Sequence, residues 1–299
     1  MSTIPVVLDC DPGHDDAIAI LLALASPELD VRGVTTVAGN QTIEKTTRNA
    51  QVVLALAGRE DVPVARGAEK PLVRELRTAP NVHGETGLDG PVDLPTPSAG
   101  LSRHSAWELL VDQLRPGVVL VPTGPLTNVA IALEAGARPE TIVWMGGAAG
   151  EGNVTPQAEF NAFVDPDAAA RVFAAGAELT MVGLDVTHKA LARDEHRERL
   201  RRGGRAGRFV AELLDFYGRF HAERYGWDGS PIHDALAVAV AIDSTLVRTE
   251  HVHVRVRTDD EERGRTEVVP GDEPNAHVCV EVDAPRFLEL LCSRIESLP

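Results

Sequence analysis

The chain has 299 residues, 43% hydrophobic and 25% charged, and its 45 acidic against 29 basic side chains leave a formal charge of -16. Such a surface repels nucleic acid and anionic membranes, so neither is an expected partner, and the length suits one large α/β domain over residues 1–299. Cys10, Cys279 and Cys292 are scattered without CxxC spacing, which argues against a disulfide framework or a zinc site; with no basic leader in MSTIPVV and no apolar run long enough for a bilayer, a cytoplasmic location is expected.

In chain order, VVLD at 6–9 reads as a buried strand and 15–25 as the helix after it. VRGVTTV at 31–37 is the next strand, followed by a helix over 42–57 and another over 103–114. The pattern then repeats: VVLVP and a helix at 125–136, TIVWM and a helix at 166–175, and LTMVGL. This alternation predicts an α/β fold with an open, mostly parallel Rossmann-like sheet flanked by helices. The polar stretch 186–230 predicts helices over an edge or the mouth of the sheet. Its arginine-rich segment HRERLRRGGRAGR reads as a solvated helical face, with anion binding as the less favoured reading. HVHVRV and HVCVEV alternate like half-exposed strands around the acidic turn DDEERGR, and RFLELLCSRI follows, so a small C-terminal β-hairpin and helix are expected.

In open α/β sheets ligands bind in the crevice beyond the carboxyl ends of the strands. Asp9, Asp11, Asp15 and Asp16 follow the first strand, Asn40 ends the second, Thr123 follows VVLVP, and Gly146 and Gly147 follow TIVWM, with Asn153, Glu159 and Asn161 just beyond. Four clustered carboxylates repel one another unless a cation or good donors compensate them. Oxygen ligands without a Cys/His cluster suit calcium or magnesium, and a bend at Pro12 and Gly13 would fold Asp11 and Asp16 onto one ion. The plainer alternative, in which Asp15 or Asp16 merely caps the following helix, needs one aspartate and not four. In SPIHDALAVAVA, Asp234 is either a helix cap or a further oxygen ligand, and His233 beside it is a proton donor in reach of neutral pH.

Six motifs in order, DCDPGHDDA, TTVAGNQT, VPTGPLTN, WMGG, GNVTPQAEFN and IHDALAVA, resemble the nucleoside hydrolases, particularly the inosine-uridine-preferring and pyrimidine-preferring ribonucleoside hydrolases. The resemblance implies calcium-dependent cleavage of the N-glycosidic bond of a ribonucleoside, in nucleoside catabolism and salvage, by a homodimer or homotetramer. It implies an ion held by Asp11, Asp16, the carbonyl of Thr123 and Asp234. Asp11 would take a proton from the attacking water and His233 would donate to the departing base. Asp15, Asn40, Asn153, Glu159, Asn161 and Asp234 would hold the ribose hydroxyls, with Met145 lining the sugar. HGETGLDG, which begins at His83, and FYGRFHAERYGWDGS match loops over the site in relatives, where His83, Tyr217, His221, Tyr225 and Trp227 are possible base contacts. Purine or pyrimidine preference stays open. His14 reads as lining the site or standing directly behind its lining, without an evident partner, and Cys10 as packing. Two rival readings are a haloacid dehalogenase-like magnesium phosphohydrolase using Asp9, and a ribonucleoside-binding protein without turnover.

Overall fold

The computed structural model describes residues 3–299. Nine strands form one sheet: β1 (Ile4–Cys10), β2 (Leu29–Thr36), β3 (Val64–Arg66), β4 (Val119–Pro122), β5 (Thr141–Met145), β6 (Leu179–Val182), β9 (Val247–Val256), β10 (Thr266–Val269) and β11 (Ala276–Val282), with β7 (Leu191–Arg193) and β8 (Gly229–Pro231) pairing separately. The spatial order is β10-β9-β11-β6-β5-β4-β1-β2-β3. All pairs from β11 through β6 to β3 are parallel, whereas β9 runs antiparallel to β11 and to β10. Because β1 leads outward to β2 and β3 on one side while β4, β5 and β6 lie on the other, the order reverses at β1, and a crevice opens beyond its carboxyl end.

Among the described residues twelve α-helices accompany these strands: α1 (His14–Ala25), α2 (Ile43–Leu56), α3 (Pro80–His83), α4 (Ala106–Gln113), α5 (Thr127–Glu134), α6 (Phe160–Val164), α7 (Pro166–Ala174), α8 (Leu184–Thr187), α9 (Asp194–Arg201), α10 (Arg205–Tyr225), α11 (Asp234–Ile242) and, after the last strand, α12 (Ala284–Glu296). Alternation along β1 sends Val6, Leu8 and Cys10 into the core shared with α1, α2, α10, α11 and α12, and Val7 into the opposite core with α4, α5 and α7. Both faces of the central strands are therefore dry, as their continuous Val/Ile/Leu runs demand. Among the described residues no helix is long and apolar enough to cross a membrane.

The mostly parallel α/β sheet stands as expected, with differences at its margins. Helices expected over 103–114 and 125–136 are shorter; α4 begins after Ser105, whose hydroxyl and main-chain N–H both donate to Glu108. Three-residue strands β3, β7 and β8 are too brief to show a period. The acidic DDEERGR turn joins β9 to TEVV of β10, not to HVCVEV, which inserts between β9 and β6 as β11 and makes the C-terminal strands part of the main sheet. Within the arginine-rich segment, Arg199 pairs with Glu296 at 2.8 Å and Glu289 at 2.6 Å, and Arg201 with Asp215 at 2.8 Å, tying α9 to α12 and α10, while Arg202, Arg205 and Arg208 stay exposed as a solvated face.

Candidate active site

A cavity of about 350 Å³ opens beyond the carboxyl ends of the strands. Loops after β1, β2, β4 and β5 and the start of α11 supply its polar end, where Asp15, Asn40, Thr123, Met145, Asn153, Glu159, Asn161, His233 and Asp234 line it. Carboxylate oxygens of Asp15, Asp16 and Asp234 come within 4.8 Å of one another, all buried. Asp11 stands immediately beside them: its main-chain N–H donates to Asp16 Oδ1 at 3.2 Å, and its Oδ2 accepts from the Asn40 N–H at 2.6 Å.

Asp16 is held by four donors. Oδ1 accepts from Asp11 N and from the Thr123 hydroxyl at 2.7 Å, while Oδ2 accepts from Gly13 N and Asn40 Nδ2, each at 3.0 Å. The Gly13 bond caps α1, so Asp16 serves as cap and cluster member at once. Asp234 lies in the first turn of α11 and receives no main-chain N–H among the described residues; capping does not explain it. One oxygen each of Asp11 and Asp15 is buried without a hydrogen-bond partner, as is Oδ1 of Asn153. Buried acceptors without donors are costly, and a group of carboxylates left this way fits a hard cation and the hydroxyls of a polyol.

The electrostatics agree. Burial, with Asp16 nearby, pushes Asp15 up to about 8 and raises Asp11 well above the carboxylate range; burial, with Asp15, Asp16 and Asp11 adding repulsion, does the same to Asp234. Glu159 is pushed up to about 7 by burial, although N–H groups of Asn161, Ala162 and Gly147 donate to it. Asn161 turns its amide to the carbonyls of Thr123 at 2.8 Å and Met145 at 3.1 Å, bridging the ends of β4 and β5. The Thr123 carbonyl keeps a second lone pair for another partner.

Rings close the opposite end. His83, Tyr217, Phe220, His221 and Tyr225 line it, and His188 adjoins His233 at 5.6 Å between ring centroids. His233 Nδ1 lies 2.7 Å from the Thr187 hydroxyl, which leaves Nε2 to meet a ligand. Burial, reinforced by His188, His221 and His83, holds His233 well below the usual imidazole range, so it stands as a neutral ring. Trp227 does not line the cavity; it stacks behind Tyr225 at 4.6 Å and His221 at 5.8 Å. The sequence gives no local signal for Arg77, Phe163 and His188, which line the cavity, or for Thr187, which reaches it through His233, since only the tertiary fold brings them here.

His14 is not without partners. Its Nε2 lies 2.7 Å from the Asp89 carbonyl, and its ring packs among His83, Phe216 and Tyr217. Cys10 is buried in the core, and all three cysteines are free. Asp9 points to the other face of β1, where Oδ1 accepts from Thr35 Oγ1 at 2.5 Å and Asn128 Nδ2 at 2.8 Å, away from the cavity. The phosphohydrolase reading thus loses its nucleophile.

An acidic cavity closed by rings thus lies at the switch point of an open α/β sheet, the place where such folds bind ligands. The chain belongs to the inosine-uridine preferring nucleoside hydrolase family, whose model matches residues 6–289. It is 50% identical over 307 aligned positions, covering 98% of both chains, to the pyrimidine-specific ribonucleoside hydrolases RihA of Salmonella arizonae and Escherichia coli. Among solved structures it resembles the purine-preferring ribonucleoside hydrolase of Gardnerella vaginalis (TM-score 0.92, 35% identity, 98% of each chain) and the plant nucleoside hydrolase PpNRh1 (TM-score 0.92, 35% identity, 99% of each chain).

Proposed function

We propose that the protein is a calcium-dependent hydrolase that splits pyrimidine ribonucleosides into ribose and free base. The observation that carries this reading is the buried convergence of Asp15 and Asp234, which line a cavity sized for a small ligand, with Asp16 between them and Asp11 adjoining behind the wall, oxygens of Asp11 and Asp15 being unpaired. Similarity to the two RihA enzymes across nearly the whole chain supports the pyrimidine choice.

Asp11, Asp16, the Thr123 carbonyl and Asp234 would hold the ion, which when bound offsets the clustered negative charge and makes water more acidic. Asp11 has one oxygen fixed by Asn40 and the other free, an arrangement suited to accepting a proton from the attacking water. Asp15, Asn40, Asn153, Glu159, Asn161 and Asp234 hold the sugar hydroxyls. As the glycosidic bond breaks, positive charge grows on the ribosyl ring, and the surrounding carboxylates stabilise it without reorganising. His233 offers a neutral N–H to the departing base, and His83, His221 and Tyr225 bound the base, with Trp227 backing the last two. Assembly as a homodimer or homotetramer completes the proposal, and light scattering checks it.

The test is a ribonucleoside panel assayed for free ribose with chelator, without it, and with calcium restored. Uridine and cytidine should be cleaved faster than inosine, with activity lost to the chelator and regained with calcium. Full turnover in chelator removes the ion from the proposal, and tight nucleoside binding without release of base removes catalysis.

A further inference from the structure

The residue between the glycine turn and the paired aspartates, His14, meets three separate parts of the chain. Its main-chain N–H donates to His83 Nδ1 at 3.2 Å, its ring Nε2 lies 2.7 Å from the Asp89 carbonyl, and its ring lies parallel to Phe216 of α10 at 5.1 Å and 5°. A main-chain N–H can only donate, so His83 Nδ1 must present a lone pair and the proton of His83 must sit on Nε2. A carbonyl can only accept, so the proton of His14 sits on its Nε2. The two Nδ1 atoms also lie 3.2 Å apart, but with both protons committed elsewhere that contact carries no hydrogen bond, and the directional bond is the main-chain one.

We propose that His14 is a positioning residue: its main-chain N–H selects the Nε2–H form of His83, and its ring, tied to the Asp89 carbonyl, clasps the 83–90 loop against the cavity. Asp89 extends the clasp, because its carboxylate accepts the N–H groups of Glu85 at 2.9 Å and Thr86 at 3.1 Å. Gly13 permits the approach, since a Cβ there would fall 2.5 Å from His83 Nδ1. His83 Nε2 has no protein partner among the described residues, and the ring lines the cavity. Resting on the nucleoside reading above, this assigns His83 as a donor that meets an acceptor on the base, a carbonyl oxygen or unprotonated ring nitrogen, and not an amino group. Residue 14 directly precedes Asp15, so the donor at the base end is placed by the same turn that places the carboxylates at the sugar end.

The tautomer is read on the full-length, calcium-loaded protein from two-bond proton–nitrogen correlations of 15N-labelled histidines, with His83 assigned by its loss in His83→Gln. An Nε2–H pattern is expected; an Nδ1–H pattern overturns the proposal. No substrate is involved, so this result stands apart from the assignment of nucleoside hydrolysis. His14→Phe keeps a ring but cannot donate to Asp89, and should raise KM for uridine about tenfold, the worth of one hydrogen bond, with kcat within about threefold and His83 signals broadened. His14→Gln retains a donor and should recover most of the KM. Unchanged KM and unmoved His83 signals in His14→Phe overturn the clasp, as does equal loss in both variants with those signals unmoved. Should His14→Phe fail to fold, the wild-type tautomer and the glutamine variant still decide.

Discussion

The Thr123 hydroxyl donates to Asp16 Oδ1 across 2.7 Å, joining the end of β4 to the first turn of α1. Thr123→Val removes that donor while leaving the carbonyl in place. The buried carboxylate then loses one of its four partners, and the variant should be about 1–3 kcal/mol less stable by urea unfolding, with Thr123→Ser restoring most of it.

Asp234→Asn should separate stability from activity. Burial and repulsion from Asp15 and Asp16 keep Asp234 protonated in the ion-free fold, so near neutral pH folding must take up a proton that the unfolded chain has released; asparagine removes that cost and should raise the melting temperature. Turnover of uridine should fall by at least about 10²-fold, the scale of losing a group that acts on the reacting centre. A melting temperature that falls together with activity contradicts the repulsion argument.

The pH dependence of the ion-free protein follows from the raised carboxylates. Asp15 at about 8, and Asp9 and Glu159 at about 7, keep protons in the folded chain that the unfolded chain has released above its ordinary carboxylate range. Stability from these groups is fully present below the unfolded values and is lost as pH rises through 7 and 8. His14 and His221, lowered from 6.5 to about 4, act in the opposite sense and cost stability as pH falls from 6.5 toward 4. Calorimetry in chelator should therefore show a falling melting temperature between pH 6.5 and 8, and calcium should raise it more at pH 8 than at pH 6 because its ligands must be deprotonated.

Gly39→Ala should disable the site without touching a carboxylate. A Cβ there would collide with Asp11 Oδ2 and come within 2.9 Å of Pro125 Cδ, so the Asp11 carboxylate must move. A kcat loss of about 10²-fold is expected from misplacing a reacting group by an ångström, with the far-UV spectrum unchanged.

Deoxyuridine should be cleaved at least about 10²-fold less efficiently than uridine, because under the proposed sugar contacts the missing hydroxyl would leave buried polar groups at Asp15 and Asp234 unpaired. Equal kcat/KM on the two substrates contradicts the sugar contacts.

Much of this architecture is legible in the sequence because its signals are local. Val/Ile runs with turns behind them reveal β1, β2, β4, β5 and β6, and Asp11, Asp15 and Asp16 stand out because they crowd the turn after β1. Asp234, by contrast, is ambiguous alone and gains meaning from the IHDA motif and its family resemblance. The partners of His14 are 69 and 75 residues away, and Thr187 reaches His233 across 46, separations at which no periodicity operates. Strand β10 escaped notice because four residues are too few to outweigh the resemblance between HVHVRV and HVCVEV.

The Asn161 amide, bridging the carbonyls of Thr123 and Met145, gives the polar end of the cavity a ruler cut from the sheet itself: its groups take their separations from neighbouring strands. The ring-lined end, which the proposal gives to the base, hangs instead on α3, the 83–90 loop and the last turns of α10. Grafting those segments between relatives should therefore exchange one nucleobase preference for another while leaving the chemistry at the pentose intact.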